Sequence, residues 1–460
     1  MGKSLNSFLR MVEEKYPQNF LRVKEQLDPN QHELAAFHKI LEEKRQNPVI
    51  FFENVKNVKG ERSVFPLAHN LFVNRSLCAL AIGEDPSNNQ MSLGIRFGEI
   101  EKVEGRLDIV KQADAPVLEN VQLGEEADVT LLPAARYHEK DVGPYFVMDC
   151  IMKGKSGDFY DVTPTKNLIY GPRRMSLSSH GHHHLARIIA EYEARGEATP
   201  IAIVLGHHPA FTLGSCAMMP YGNHDYKTIA SFMGEPLALT PSASLGEDFL
   251  IPADSEIVIE GIIQPGVRDW QNPFGEISGH YQNRMQVPVI EVTAVCYRDN
   301  AVMQGLMPGH AEHIIMGGLP KEGSVYHAIK KVVPEVTAIH LPHYGMGRFA
   351  AHIAVDKKTF RDVTVAAMVA AAEMPNLKIA IVVDSEIDVF NDTEVMWAVT
   401  TQARWDKDAS VIPKVQSFRG WLGDAIIIID ATHHEDVPDY PERNRIPPDA
   451  LKRVRERLDL

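Results

Sequence analysis

The chain has 460 residues, 44% of them hydrophobic, so it is long enough for two or three domains with large cores and does not have a disordered composition. Sixty-one acidic against 47 basic residues give a net charge of −14, which argues against a broad nucleic-acid or anionic-membrane surface and confines any phosphate site to a local basic pocket. The four cysteines, Cys78, Cys150, Cys216 and Cys296, lie far apart with no CxxC pair, and no apolar run reaches transmembrane length. A soluble protein of the reducing cytoplasm is therefore expected, without a disulfide framework or cysteine zinc site.

The opening MGKSLNSF lacks a basic-then-apolar signal pattern, and Asn6 stands where a myristoylation site needs Ser or Thr. Leu5, Phe8, Leu9 and Val12 recur at helical spacing, and residues 33–45 read as a second, more charged helix, so the chain is expected to begin with surface helices. Short β-rich runs follow at 49–52 and 79–82, and 107–121 reads as irregular. There is no internal repeat and no low-complexity linker.

Residues 145–148 suggest a strand, 161–170 a second, and the turn at 171–174 leads into a short third strand. Then comes SSHGHHH, residues 178–184, directly before an apolar helical face of Leu185, Ile188, Ile189 and Tyr192, with Gly196 where a C-cap belongs. A helix N-terminus attracts phosphate and imidazoles bind divalent metals, so this segment can hold a metal-bridged phosphate. Solvated or capping histidines fit the same spacing, because no HExxH-like pattern is present.

The apolar run 200–206 reads as a buried strand. Asp225 precedes a helix ending near Gly234; it suits an N-cap, and as a carboxylate it also suits a hard metal ion. Strands are expected within 251–263 and over 287–297, and short strands at this spacing suggest a barrel-like sheet. Between them lies QNPFGEISGHY, residues 271–281, whose proline and two glycines build a constrained turn that presents Glu276. The loop 307–318 offers His310, Glu312 and His313. Beyond it, strands at 337–343, 349–355 and 378–383 alternate with helices at 359–372 and 392–402, the latter with Asp392 as its N-cap, which indicates an α/β domain. A further strand at 425–429 and a proline-rich tail precede a charged terminal helix, 448–458.

IPADSEIVIEG, NPFGEISGHY, VLGHHPA and IAIVVDSEIDVFNDTEVMWAVTTQARWDKD resemble the UbiD family of reversible decarboxylases, over roughly residues 161–432. The resemblance implies an α/β (α+β) fold with a flavin-binding split β-barrel domain and a C-terminal α/β domain that forms oligomers. The expected divisions are N-terminal helices and an α/β segment at 1–125, the barrel at 126–320, the α/β domain at 321–438, and a tail and helix at 439–460. It implies prenylated FMN as cofactor, Mn2+ or Mg2+ with a possible K+, a homodimer or homohexamer, and a flavin prenyltransferase as cofactor supplier.

Carried over by motif, the family's proton donor falls on Glu276, its metal-ligating residues on Asp161, His184 and Asp225, with His182 as the rival to His184, and its catalytic arginine on Lys166. Arg173 and Arg174 rival Lys166 for the substrate carboxylate. Gln271 stands where the family has a second Glu, so the expected relay reads Gln271, Lys166 and Glu276. Cofactor contacts are expected from Lys166, Ser178, Ser179, His180, His184, Ser215, Cys216 and Asp225, and substrate contacts from His310, His313 and Ile277, with Met307, Met316 and Trp421 as further walls. Lys166 keeps the arginine's charge without its planar fork.

The implied reaction is reversible, non-oxidative decarboxylation of an aromatic, heteroaromatic or α,β-unsaturated acid through a covalent adduct with the cofactor, protonated by Glu276. Two other readings remain: an auxiliary subunit of a multi-subunit carboxylase, suggested by Gln271 and Lys166, and a metal-dependent hydrolase built on the histidines of 180–184.

Overall fold

The amphipathic spacing at the start of the chain becomes helix α1 (Leu5–Lys15), which buries Leu5, Phe8, Leu9 and Val12 and opens with a reciprocal Ser4–Ser7 capping box. The structure, a computed structural model, describes residues 2–179, 181, 183–415, 423–434, 437–441 and 443–458. The run at 79–82, expected as a strand, is instead the end of helix α2 (Arg75–Ala81), capped by the Asn74 side chain on the Leu77 N–H. Four short apolar residues fit either period, and the cap decides. Helix α3 (Met91–Ile100) follows.

Six strands form the barrel: β1 (Tyr145–Lys153), β2 (Tyr160–Gly171), β3 (Arg174–Ser176), β4 (Thr199–Val204), β5 (Ile257–Gln271) and β6 (Met285–Tyr297). They pair antiparallel in the order β5-β4-β1-β2-β3-β6, and β6 returns to β5, so the sheet closes and leaves no free edge around the ring. β1 is buried at eight of its nine positions. One face fills the barrel and the other lies under helices, which is why its sequence is almost entirely apolar, interrupted by buried Asp149, rather than alternating. Helix α4 (His184–Glu193) starts at the histidine segment as expected. Helix α5 (Asp225–Met233) includes Asp225 as its first helical residue, with His224 as N-cap and Gly234 closing it in the left-handed conformation.

The expected loop at 307–318 is mostly helix: α6 (Ala311–Lys330) begins directly after its N-cap His310 and runs through Pro320. It leads into a sheet of β7 (Val336–His340), β8 (Ala350–Val355), β9 (Ile379–Asp384), β10 (Ala409–Ile412) and β11 (Ile426–Ala431), in the order β7-β8-β9-β11-β10 with a parallel centre. Helix α7 (Phe360–Glu373) packs Val363, Ala366, Ala367 and Ala370 against Ala351, Ile353 and Val355. Helix α8 (Asp392–Thr401) packs Val395, Ala398 and Val399 against Ala354, Ile381 and Val383, so alternate strand residues serve opposite faces. Asn391, not Asp392, caps α8, since its carboxamide accepts from Thr393 N and Glu394 N. The terminal helix α9 (Pro448–Leu458) buries none of its residues. Among the described residues no helix is long and apolar enough to cross a membrane.

Helix α6 joins the two halves by crossing α3 where both carry glycine. A Cβ on Gly323 would run into the Gly94 carbonyl oxygen and lie 2.8 Å from Gly98 N. Because those obstacles are backbone, the crossing must open to admit even a methyl group. Gly323→Ala is therefore expected to destabilise the protein by about 1–3 kcal/mol despite alanine's better helix propensity, read as a lowered midpoint in thermal unfolding.

Candidate active site

Glu276 is built into place by its neighbours. Between β5 and β6 the chain forms a small antiparallel hairpin, Phe274–Gly275 with Tyr281–Gln282, and Glu276 begins its turn. Its N–H donates to the His280 carbonyl at 2.8 Å and its carbonyl accepts from Gly279 N at 3.0 Å, with Gly279 at φ 74°. The buried carboxylate of Asp141 anchors this turn, accepting from Gly275 N at 2.9 Å, Tyr137 N at 3.0 Å and His138 N at 2.9 Å. Burial opposes the Asp141 charge, yet the His138 side chain and these backbone donors hold its pKa below the usual carboxylate range. Gly275 has to be glycine here, since a Cβ would overlap the His138 ring.

Lys166 reaches the same point from β2. Its ammonium forms an ion pair with Glu276, donates to Gln282 Oε1 at 3.2 Å, and lies 5.1 Å from the centre of the Phe274 ring. Both partners are largely buried, with side chains 16% and 9% exposed, so solvent screens the pair little. Gln271, the expected third member, is buried but turns to Asn272, donating to its Oδ1 at 3.1 Å. Gln282 takes the place beside Lys166. It went unrecognised in the sequence because it lies eleven residues away and joins the site only through the hairpin register Phe274↔Gln282. Arg173 and Arg174, the rivals of Lys166, point outward to Glu125 at 2.5 Å and Asp269 at 2.8 Å.

Lys166 and Glu276 line a cavity of about 210 Å³. Val147, Phe274, Ile277, Leu306 and Met316 make its apolar walls, and Lys166, Ser178, His183, Glu276, His313, Arg348 and Asn376 its polar ones. Of the expected substrate contacts, Ile277 and His313 face the cavity. His310, in the extended N-cap conformation, turns away and packs its ring 4.8 Å from His38, with Glu42 at 3.3 Å. Met307 packs beside the core, and His180, His182 and Trp421 lie outside the described residues. Arg348 and Asn376 are absent from the sequence expectations because they come from the C-terminal α/β unit, and no local motif marks them.

The three expected metal ligands are neighbours. Asp161 on β2 lies 3.3 Å from His184 Nδ1, and Asp225 accepts from Val162 N at 2.9 Å. The Asp161 hydrogen bond raises the His184 pKa; burial, and then the charge of Asp161, push Asp225 up to about 7. Among the described residues, however, no group of three or more His, Cys, Asp or Glu side chains is arranged to hold a metal ion. Ser178 Oγ and Ser179 Oγ are buried without a hydrogen-bond partner among the described residues, which fits the polar edge of a bound cofactor. Ser215 instead donates to buried Asp149 at 2.6 Å, and desolvation pushes the thiol of the half-buried Cys216 up to about 12.

Models of the N-terminal, Rift-related and C-terminal domains of 3-octaprenyl-4-hydroxybenzoate carboxy-lyase match residues 15–94, 108–311 and 314–419. The chain is 27% identical to a phenolic acid decarboxylase of Sedimentibacter hydroxybenzoicus, over 99% of this chain and 97% of that one. It is 30% identical to an anhydromevalonate phosphate decarboxylase of Aeropyrum pernix, over 75% and 77% respectively. The structure of the UbiD-class enzyme HmfF from Pelotomaculum thermopropionicum in complex with FMN superposes with a TM-score of 0.89 at 28% identity, covering 98% of this chain and 99% of that one. An evolved dimeric form of HmfF in complex with prFMN, also 28% identical, gives 0.87, with 98% of both chains covered.

Proposed function

Because the chain belongs to the UbiD family and is a carboxy-lyase, we propose that it decarboxylates an aromatic, heteroaromatic or α,β-unsaturated acid in the cavity beside Glu276, with Glu276 as the proton donor. The observation that carries this reading is the Lys166–Glu276 contact on the cavity wall. A carboxylate on an sp² carbon loses CO2 poorly because the electron pair left behind has nowhere to delocalise. Prenylated FMN, when bound, supplies the electron sink.

The protein's own part follows from charge. An incoming carboxylate competes with Glu276 for the Lys166 ammonium and is oriented by a charge-assisted hydrogen bond. Displaced from its cation in a mostly apolar cavity, Glu276 takes up a proton more readily, because burial disfavours the charged form. When CO2 has left, the Glu276 carboxyl gives that proton to the carbon, so the balance is acid in, CO2 and the protonated product out. Gln282 holds Lys166 while its partner changes. In reverse, the same groups serve carboxylation at high CO2.

Ser178 and Ser179 would hold the cofactor's polar edge. Asp161, Asp225 and His184 would hold Mn2+ or Mg2+ against its phosphate, since a divalent cation relieves the repulsion between two close carboxylates; an accompanying K+ is part of the same reading. A flavin prenyltransferase as supplier and a homodimer or homohexamer belong to it too. Membership in a carboxy-lyase family displaces the hydrolase reading. The relatives named above act on both phenolic acids and a phosphate-bearing acid, so the family alone leaves the substrate class open.

The test is anaerobic purification from cells co-expressing a flavin prenyltransferase, followed by cofactor mass, visible spectrum and CO2 release from a panel of unsaturated acids. Prenylated FMN bound with release of CO2 is the expected result. Cofactor bound with every acid inert would favour an auxiliary subunit, and the absence of prenylated FMN would overturn the mechanism.

A further inference from the structure

The walls of the cavity come from parts of the chain far apart in sequence. Lys166, Phe274 and Glu276 belong to the barrel and its hairpin, His313 and Met316 to helix α6, and Arg348 and Asn376 to the C-terminal α/β unit. Its shape therefore depends on how that unit is set against the barrel. Arg348 and Asn376 precede strands β8 and β9, at the same edge of the sheet as the last residue of β7, His340.

That edge is tied down by one carboxylate outside the cavity walls. Glu322 on α6 has a side chain only 1% exposed. Its Oε2 accepts from Arg75 Nη1, at the start of α2, at 2.7 Å, and its Oε1 accepts from His340 Nδ1 at 2.8 Å and from Leu341 N at 3.0 Å. Because an ionised carboxylate only accepts, His340 carries a proton on Nδ1. Arg75 also donates to the carbonyls of Asn89 and Gln90, just before α3, and Gly94 on α3 leaves room for the carboxylate: a Cβ there would lie 3.4 Å from Glu322 Cβ. Phe390 of the C-terminal unit lies against both partners, 4.7 Å from the His340 ring and 4.9 Å from the Arg75 guanidinium. Burial opposes the Glu322 charge, yet Arg75 and then His340 hold its pKa below the usual carboxylate range. Desolvation offsets much of the attraction in such a buried pair, so its main effect is to specify one arrangement, since any other leaves a buried charge uncompensated.

We propose that Glu322 is a positioning residue for decarboxylation: by holding Arg75 and the His340–Leu341 end of β7 together, it sets the C-terminal sheet so that Arg348 and Asn376 face Lys166 and Glu276 across the cavity. The effect on turnover rests on the decarboxylase reading, whereas the setting of the sheet does not. Without the junction only a fraction of molecules has the cavity assembled, and apparent substrate affinity falls by that fraction. Once substrate is bound in the assembled cavity, the proton path through Glu276 is unchanged.

The test compares Glu322→Gln, Arg75→Gln, Arg75→Lys and the double variant Arg75→Gln/Glu322→Gln, each loaded with prenylated FMN, in CO2 release from the panel of unsaturated acids, thermal unfolding and backbone hydrogen exchange. Asp408→Asn is the control, since it breaks an ion pair of the same unit, Arg404 Nε to Asp408 Oδ2 at 2.9 Å, and leaves Glu322 paired. Glu322→Gln and Arg75→Gln are each expected to raise KM about tenfold with kcat within about threefold of the wild type, and Arg75→Lys to recover most of the loss. The double variant should be no worse than the worse single one, because the two residues act as one unit. Amide exchange over residues 341–349 and 374–378 should quicken in Glu322→Gln and not in Asp408→Asn. A wild-type KM in Glu322→Gln would overturn the proposal, as would an equal rise in KM in Asp408→Asn or losses that multiply in the double variant. If no acid releases CO2, the decarboxylase reading fails and hydrogen exchange decides alone: quicker exchange in Glu322→Gln only upholds the setting of the sheet, and unchanged exchange overturns it.

Discussion

Glu276→Gln is expected to lower decarboxylation about 10²- to 10⁴-fold, the range for losing a positioned general acid. Glutamine keeps the shape and can still accept from Lys166, so the hairpin held by Asp141 and the Gly275 N–H should stay in place. What it lacks is a proton to give. The loss should therefore fall on kcat, with substrate affinity and cofactor content near those of the wild type, measured by steady-state CO2 release and flavin absorbance. Glu276→Asp keeps the acid but withdraws it by one methylene and should lie between the two. A wild-type kcat in Glu276→Gln would remove this residue from the proton path.

Lys166→Met is expected to cost about 10²- to 10³-fold in kcat/KM, comparable to deleting a donor that faces a reacting oxygen. Two effects combine: the substrate carboxylate loses its cation, and Glu276 is left buried without its ion-pair partner. KM should rise together with the fall in kcat, unlike the pattern for Glu276→Gln, because the lysine acts on substrate before CO2 leaves. Lys166→Arg retains the charge and should recover most of the activity if positive charge is the requirement. Arg173→Gln is the matched control, since Arg173 is exposed and pairs with Glu125 on the surface.

The legible parts of this protein are those written locally. The turn at Glu276 shows itself through one proline and two glycines, and the helices at 5–15 and 184–193 through the spacing of their apolar residues. The barrel could be read as short strands at regular spacing, but its closure depends on β6 pairing with both β3 and β5, which periodicity does not encode. Lys166 and Glu276 are 110 residues apart and meet in an ion pair that only the folded barrel creates. Gln271 does not join them, because the backbone directs its amide to Asn272 and the hairpin register brings Gln282 instead. His310 and His313 show the limit of reading a loop: once the segment is a helix start, one ring turns to His38 and the other faces the cavity. Arg348 and Asn376 enter only through tertiary contact.

The most direct test of Glu276 as proton donor is a single-turnover experiment in D2O with the prenylated-FMN-loaded wild type and Glu276→Gln, following CO2 release and deuterium at the product carbon separately. The account predicts that the wild type releases one CO2 and places one deuterium where the carboxylate stood, whereas Glu276→Gln still releases CO2 but delivers the protonated product about 10²- to 10⁴-fold more slowly. Deuterium arriving in the product at the wild-type rate in Glu276→Gln would contradict it.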